Sequence, residues 1–396
     1  MLISRRSFCV GGAAALGNVA LAAPKQGEAD GYALVAATDR ERVLQAAQRY
    51  VKEKPQTITS FPSAKSPGGL RDFYSQADYF WPDPQNPDGP YRERDGQSNP
   101  DNFLGHRKAM IALSMQMPAL TAAWLLTKNR RYGERATEHL RAWFVDPATR
   151  MNPNLEYAQG VTRGVTGRSY GIIDTLHLVE VARAATVLQG KFLNEDENTT
   201  VKDWFRSYLE WMNTSKKGMT ERDASNNHAT CWALQAAEFA RLIGEEDTRD
   251  DLRERYKTVI LPKQMGADGS FPLELKRTKP YSYSIFNLDV MAGLCKSLSR
   301  DGDDLFSFTL SDGRGICKGA AFLFPFLEDK TRWPFAKDVE HFDALPVRSP
   351  SLLFCGLGCG KEEYIGLWKR LNPDPTDVEI IRNFPIRQPL LWVPSA

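Results

Sequence analysis

Histidine is scarce in this chain of 396 residues. There are five, at His106, His139, His177, His228 and His341, and no H-E-x-x-H or related spacing joins them. That argues against a metalloenzyme built on paired helical histidines. Cysteine is also sparse: beyond Cys9 only Cys231, Cys295, Cys317, Cys355 and Cys359 occur. Cys355 and Cys359 have no second pair to complete a zinc ribbon. An odd number leaves at least one free thiol, so buried thiols with at most one or two disulfides are expected. No basic tract is present, which argues against a nucleic-acid partner. Beyond the N-terminus no apolar run approaches the ~18 residues that would suggest a membrane span. Low-complexity segments, long linkers and clear repeats are missing, as are alternating segments joined by hairpin turns.

What is present begins with a targeting pattern. Ser4, Arg5, Arg6, Ser7 and Phe8 resemble a twin-arginine export motif, followed by an Ala/Gly-rich apolar stretch to Ala23. Ala20, Leu21 and Ala22 offer a small-x-small cleavage site. Residues 1–22 are therefore expected to be a signal peptide, and residues 23–396 one catalytic domain in the periplasm of a Gram-negative bacterium. The formal charge of +2 loses Arg5 and Arg6 with that segment, leaving a nearly neutral chain. An anionic partner must then be held by a local cationic groove, since no bulk field draws it in.

Helical periodicity dominates the remainder. In 198–212, Val201, Trp204, Phe205, Tyr208, Trp211 and Met212 recur on one face, with Thr199 and Thr200 where an N-cap would sit. In 169–189, Ile172, Ile173, Leu176, Val179, Ala182, Ala185 and Val187 form a broad apolar face that ends at Gly190. Similar stretches cover 39–53, 103–126, 131–144, 229–243, 247–261, 285–299 and 361–371, and Pro118 should kink or break the second of these. Many moderate helices with short connections predict an all-α architecture, which a ring of antiparallel helix pairs would accommodate. The proline-rich stretch 56–102 cannot be a long helix. Its Tyr74, Tyr79, Phe80, Trp81 and Tyr91 either stack on sugar rings or tie the loop to the core.

Three elements could carry chemistry. Asn226, Asn227 and His228 open a helix, where free N–H groups favour an anion; the competing reading is an ordinary N-cap. Arg277, Lys279, Tyr281 and Tyr283 precede another helix. Arginine can grip a carboxylate bidentately, and a tyrosine near cations can exchange protons through a lowered pKa; a basic turn with packing tyrosines fits equally. Tyr157, Gln159 and Arg168 suit sugar hydroxyls and carboxylates, or a structural turn. His139 and His177 read as structural, and His106 as a cap or groove residue.

Taken together and in this order, these elements resemble the alginate lyase family of polysaccharide lyases. The matching pieces are Asn226, Asn227 and His228 with Trp232; Arg277 with Tyr283, Ser284, Ile285, Phe286, Asn287 and Leu288; and Asn154, Tyr157 and Gln159 leading to Gly167, Arg168, Gly171 and Asp174. The resemblance spans roughly 70–370. It implies an (α/α) toroid, complete or incomplete, and β-elimination on a 1,4-linked uronate polymer. It implies Asn227, His228, Arg277 and Tyr283 as the catalytic set. Asn226, Tyr157, Gln159, Arg168, Tyr79, Trp81, Lys279 and Tyr281 would bind substrate. No metal or cofactor is required. Ser282 and Ser284 stand where alginate lyases proper carry histidines, and the loop at 70–100 looks closer to a divergent branch with glucuronan and poly-mannuronate lyases.

The residue types suit that chemistry. Neutralising the uronate carboxylate eases removal of the C5 proton, because charge develops there as an enediolate. Asn227, Arg277 and His228 could do this. A base takes the C5 proton and an acid protonates O4. In mannuronate and glucuronate both lie on one side, so Tyr283 alone could serve; in guluronate His228 would be the base and Tyr283 the acid. Two other readings stand beside it. A toroidal glycoside hydrolase would need a carboxylate pair drawn from Asp78, Asp83, Asp95, Glu156, Asp223 and Glu274. A periplasmic polysaccharide-binding protein would bind without turnover.

Overall fold

The computed structural model of the protein describes residues 26–393; the signal peptide expected over 1–22 lies outside them. The helices, in order, are α1 (Gln26–Tyr50), α2 (Gly105–Thr127), α3 (Arg130–Leu140), α4 (Leu178–Leu188), α5 (Glu195–Thr214), α6 (Lys216–Arg222), α7 (Asn227–Ile243), α8 (Glu246–Arg255), α9 (Leu261–Gln264), α10 (Pro272–Leu275), α11 (Pro280–Leu298), α12 (Ile316–Glu328), α13 (Pro350–Gly358), α14 (Glu362–Arg370) and α15 (Val378–Arg382). Successive members of α2, α4, α7, α11 and α13 pack against one another. Outside them, α3 lies on α2, α5 and α8 on α7, α12 on α11, and α14 on α13. An inner row backed by an outer row is the (α/α) toroid that the helical pattern predicts.

Burial explains which helices are inner. Along α7 and α11 nearly every residue is buried, as expected of helices covered on all sides. Helix α5 is amphipathic and buries Val201, Trp204, Phe205, Tyr208, Leu209 and Met212, each worth about 1.5–3 kcal/mol. Phe205 is fully buried among Phe144, Trp204 and Phe239, with ring centroids 5.1 Å away in each case. Truncating it to alanine would cost about 3–5 kcal/mol.

Several local expectations are corrected. Pro118 neither breaks nor ends α2, which continues to Thr127. Packing on α1, α3 and α4 outweighs the roughly 3 kcal/mol an internal proline costs. Helix α2 is long and apolar enough to cross a membrane, but it is mostly buried inside the protein. The cap of α5 is Asn194, which forms a capping box with Glu197; Thr199 and Thr200 lie inside the helix. The stretch 169–189 is divided into a 3₁₀ segment, Ser169–Thr175, and α4. Gly171 there sits so close to Ala158 that a Cβ would meet it at 2.5 Å. Among the described residues one disulfide, Cys317–Cys359, is present, and Cys231, Cys295 and Cys355 are buried thiols.

Among the described residues there are two small sheets. β1 (Tyr74–Gln76) pairs in parallel with β4 (Tyr157–Gly160), and β2 (Phe80–Trp81) pairs antiparallel with β3 (Arg92–Glu93). The register between β1 and β4 slips, and Gln159 takes φ +50° at the slip. A left-handed non-glycine residue in a bulge costs about 1–2 kcal/mol and re-aims its side chain. Here Gln159 turns toward the cleft between the sheets and the inner helices.

Candidate active site

That cleft encloses about 660 Å³. It brings together residues from all three sequence elements: Asn226, Asn227 and His228; Arg277 and Tyr283; Gln159 and Arg168. Tyr79, from the proline-rich loop, joins them.

Asn227 is the first residue of α7. Its backbone N–H donates to Glu274 Oε1 (2.8 Å) and its Nδ2 donates to Glu274 Oε2 (2.7 Å). Burial pushes the Glu274 carboxyl up, against the pull of both Asn227 donors. One amide proton is thus committed, while Oδ1 and the second amide proton remain. Asn226 occupies the cap position, yet its side chain makes no capping hydrogen bond, so a plain N-cap does not account for it. His228 Nδ1 is bonded to Glu221 Oε1, a carboxylate buried on α6. That bond assigns the Nδ1 proton and leaves Nε2 as the free ring nitrogen. The imidazole lies 4.8 Å from the Tyr170 ring.

Proline at the first position of α11 starts the helix early, so Tyr281 and Tyr283 lie in its first turn. The Arg277 guanidinium sits 4.4 Å from the centroid of the Tyr283 ring. Its fork is already occupied: Nη2 and Nε donate to the Asp95 carboxylate at 2.6 and 3.1 Å. Burial works against Asp95 ionising, but Arg277 holds its pKa below the ordinary value. Tyr283 Oη is 2.8 Å from Tyr79 Oη, and Tyr79 donates to Glu379 Oε1 at 3.3 Å. The pKa of Tyr283 is raised, because burial outweighs Arg277 and the Tyr79 hydrogen bond. A lowered pKa was the sequence expectation; proximity to a cation loses to desolvation here, and the resting group is a neutral phenol.

Arg168 is held differently. Nε donates to Gln159 O and Nη2 to Gln159 Oε1, both at 3.1 Å. The guanidinium lies over Phe80 (4.6 Å) and Tyr170 (5.0 Å). Among the described residues no carboxylate forms an ion pair with it, unlike Arg277 and Arg382. Arg382 pairs with Asp78 (3.1 Å) and Glu379 (2.9 Å).

Four expected substrate contacts lie outside the cleft lining. Tyr281 is fully buried and its hydroxyl donates to Phe326 O. Lys279 is buried between Glu340 and Glu379, each 3.5 Å away. Trp81 donates to Gln97 O beneath Arg94, and Tyr157 packs on Gly68. His106 is neither cap nor groove residue: its Nδ1 accepts from Tyr74 N in the interior, and burial lowers its pKa to about 4. His139 and His177 are buried as expected. Sequence reasoning missed Glu221, Tyr170, Glu379 and Arg382, and it weighed Glu274 and Asp95 only as candidate hydrolase carboxylates. Glu274, three residues before Arg277, was visible as a carboxylate but not as the partner of Asn227.

Each carboxylate weighed for a hydrolase pair already has a partner. Asp78 is paired with Arg107 and Arg382, Asp83 with Arg92, and Asp95 with Arg277. Glu156 is paired with Lys217, Asp223 with Arg222 and Arg255, and Glu274 with Asn227. Among the described residues no group of three or more His, Cys, Asp or Glu side chains gathers as a metal-holding cluster.

Comparison with known proteins gives the same direction. The alginate lyase family model matches residues 57–333. A crystal structure of an alginate lyase from Bacteroides ovatus is 28% identical, with a TM-score of 0.78 over 93% of this chain and 97% of that one. Alginate lyase A1-III from Sphingomonas species A1 shares the fold at 14% identity, with a TM-score of 0.51 over 83% and 86% of the two chains. A variant of A1-III complexed with a tetrasaccharide aligns at 14% identity and a TM-score of 0.58 over 93% and 95%. No curated protein matches the chain at a significant level. A match across most of the chain, on an (α/α) toroid with this cleft, shows that the protein belongs to the alginate lyase family and is a polysaccharide lyase.

Proposed function

We propose that the substrate is a 1,4-linked uronate polymer, with alginate rich in mannuronate first and glucuronan second, and that Tyr283 carries the protons of the β-elimination. The observation that carries this reading is the Tyr283 hydroxyl in one cleft with Asn227, His228 and the arginines. The substrate carboxylate is met by Asn227, by Arg277 and by Arg168, which forms no direct ion pair among the described residues. As C5–H breaks, negative charge grows on that carboxylate and these donors stabilise it. On mannuronate or glucuronate Tyr283 then protonates O4 from the same side. On guluronate His228 takes the base role through Nε2, with Glu221 fixing its ring. The names of the similar solved proteins, alginate lyases, favour alginate over glucuronan.

Export to the periplasm belongs to the same reading. The twin-arginine pattern at Arg5 and Arg6 supports it, as does a disulfide, a bond that persists in oxidising compartments.

The test is a screen of poly-mannuronate, poly-guluronate and glucuronan, following the ultraviolet absorbance of the C4–C5 double bond. Fast release of unsaturated ends from poly-mannuronate is expected. Turnover of poly-guluronate alone would transfer the base role from Tyr283 to His228.

A further inference from the structure

Glu379 lies in the first turn of α15, outside the residues matched by the family. Asp377 caps that turn by accepting from the backbone N–H groups of Glu379 and Ile380, at 2.9 and 3.2 Å. The Glu379 side chain is buried, with Arg382 Nη1 at 2.9 Å, Lys279 Nζ at 3.5 Å and Tyr79 Oη at 3.3 Å, and Asn383 also hydrogen-bonds to it. We propose that Glu379 is a positioning residue that sets, through Tyr79, which way the Tyr283 hydroxyl points. The proposal rests on the reading of Tyr283 as the proton carrier.

The argument is one of donors and acceptors. Burial alone would favour the acid form of Glu379, but Arg382, Lys279 and His341 hold its pKa at about 2. An ionised carboxylate only accepts hydrogen bonds. Tyr79 has one hydroxyl proton, and it goes to Glu379. Its oxygen must then accept in the 2.8 Å bond with Tyr283, so the Tyr283 proton points at Tyr79. What Tyr283 turns toward the cleft is a lone pair. In the elimination the C5 proton moves to that lone pair, and the Tyr283 proton leaves its bond to Tyr79 and passes to O4. The C5–H electron pair becomes the C4–C5 double bond, and the C4–O4 pair leaves on O4. Glu379 stays ionised throughout and acts only by keeping the Tyr79 proton on itself, which leaves the Tyr79 oxygen to accept from Tyr283.

A purely structural role would look different. Arg382 also pairs with Asp78, and Lys279 with Glu340, so Glu379→Gln leaves neither cation without a carboxylate. What changes is polarity: the new amide can donate to Tyr79, which then donates to Tyr283 and turns the Tyr283 proton toward the cleft.

The experiment measures kcat and KM on the preferred uronate polymer for wild type, Glu379→Gln, Tyr79→Phe and the double variant, with thermal melts as a check on folding. Each single change is expected to lower kcat by about 10- to 100-fold with KM within about threefold. The double variant should be no slower than the slower single, because one line of hydrogen bonds is cut twice. Wild-type kcat in either single variant overturns the proposal, as do losses that multiply. Should Glu379→Gln fail to fold, Tyr79→Phe, which removes one oxygen and touches no ion pair, decides alone. Wild-type protein that releases no unsaturated product from any uronate polymer overturns the reading of Tyr283 together with this one. An active wild type with a fully active Glu379→Gln overturns this one only.

Discussion

On the proposed role of Tyr283 as proton carrier, Tyr283→Phe should remove the chemistry and leave the packing in place. The substitution deletes one oxygen from a side chain that is only 8% exposed. The ring keeps its place beneath Arg277 at 4.4 Å and in the first turn of α11. What is lost is the 2.8 Å hydrogen bond to Tyr79, worth about 1 kcal/mol net. Tyr79 retains Glu379 as its acceptor, so no buried donor is orphaned and no larger penalty arises. Stability should therefore fall by about 1 kcal/mol, or roughly 2 °C in Tm for a domain of this size. The expected kinetic loss is of another order. Removing a general acid–base group costs about 10²–10⁴-fold, or about 3–5.5 kcal/mol of barrier. The assay pairs initial rates of double-bond formation at saturating polymer with calorimetric binding of an oligosaccharide and a thermal melt. The expected result is kcat at or below a hundredth of wild type, binding unchanged and the melt nearly superimposable. A kcat within tenfold of wild type refutes the assignment. A loss of binding that matches the loss of rate would show instead that the phenol holds sugar and moves no proton.

Arg168→Lys should raise KM by about tenfold or more with a smaller effect on kcat, since a lysine can neither fork to Gln159 nor lie flat between Phe80 and Tyr170; steady-state kinetics in which KM stays put would remove Arg168 from substrate binding. Asp289, fully buried and accepting from Ser349 Oγ and Ser351 N, has its pKa raised by burial to about 7. A raised pKa means a contribution that is full below the unfolded value near 3.9 and is lost as pH rises through 7, so Asp289→Asn should gain on wild type by about 2–3 kcal/mol between about pH 5 and about pH 9. Urea melts at the two pH values check this, and a gap that stays constant or narrows contradicts it.

The all-helical toroid was legible because outer helices such as α5 carry one apolar stripe, which periodicity detects. Inner helices are harder: α13 is buried over most of its length and shows no polar face to set a period, and no sequence pattern marked it. The cleft was legible where neighbours in sequence are neighbours in the site, as at Asn226, Asn227 and His228. It was not legible where contacts are made across long separations. Asn227 to Glu274 spans 47 residues, Arg277 to Asp95 spans 182 and Tyr79 to Glu379 spans 300; nothing local in either partner announces the other. Tyr281 and Tyr283 illustrate the finer failure. Both are two-residue neighbours in a basic turn on paper, but a helix begins at Pro280 and rotates them apart, one into the core against Phe326 and one into the cleft.

The pairing of Arg277 with Asp95 bears on why a cleft for a polyanion should carry acids at all. Arg168, Arg277 and Arg382 face Asp78, Glu93 and Asp95 in the same lining. Three unpaired guanidinium groups would bind every uronate unit tightly, and binding that is equal in the ground and transition states does not speed the chemical step. On the mechanism proposed above, Arg277 with Asp95 on its fork would respond most to a carboxylate whose charge is growing, as it does when C5–H breaks. Asp95→Asn tests this, because the amide oxygen can still accept from Arg277 and Thr278 while the competing charge is gone. Polymer binding should tighten, with KM falling by about tenfold, or about 1.4 kcal/mol, and kcat should fail to rise or should drop. The difference from wild type should shrink as salt is added, since a partly exposed charge is being unmasked. A higher KM in the variant would mean that Asp95 holds Arg277 in place for substrate and does not compete with it.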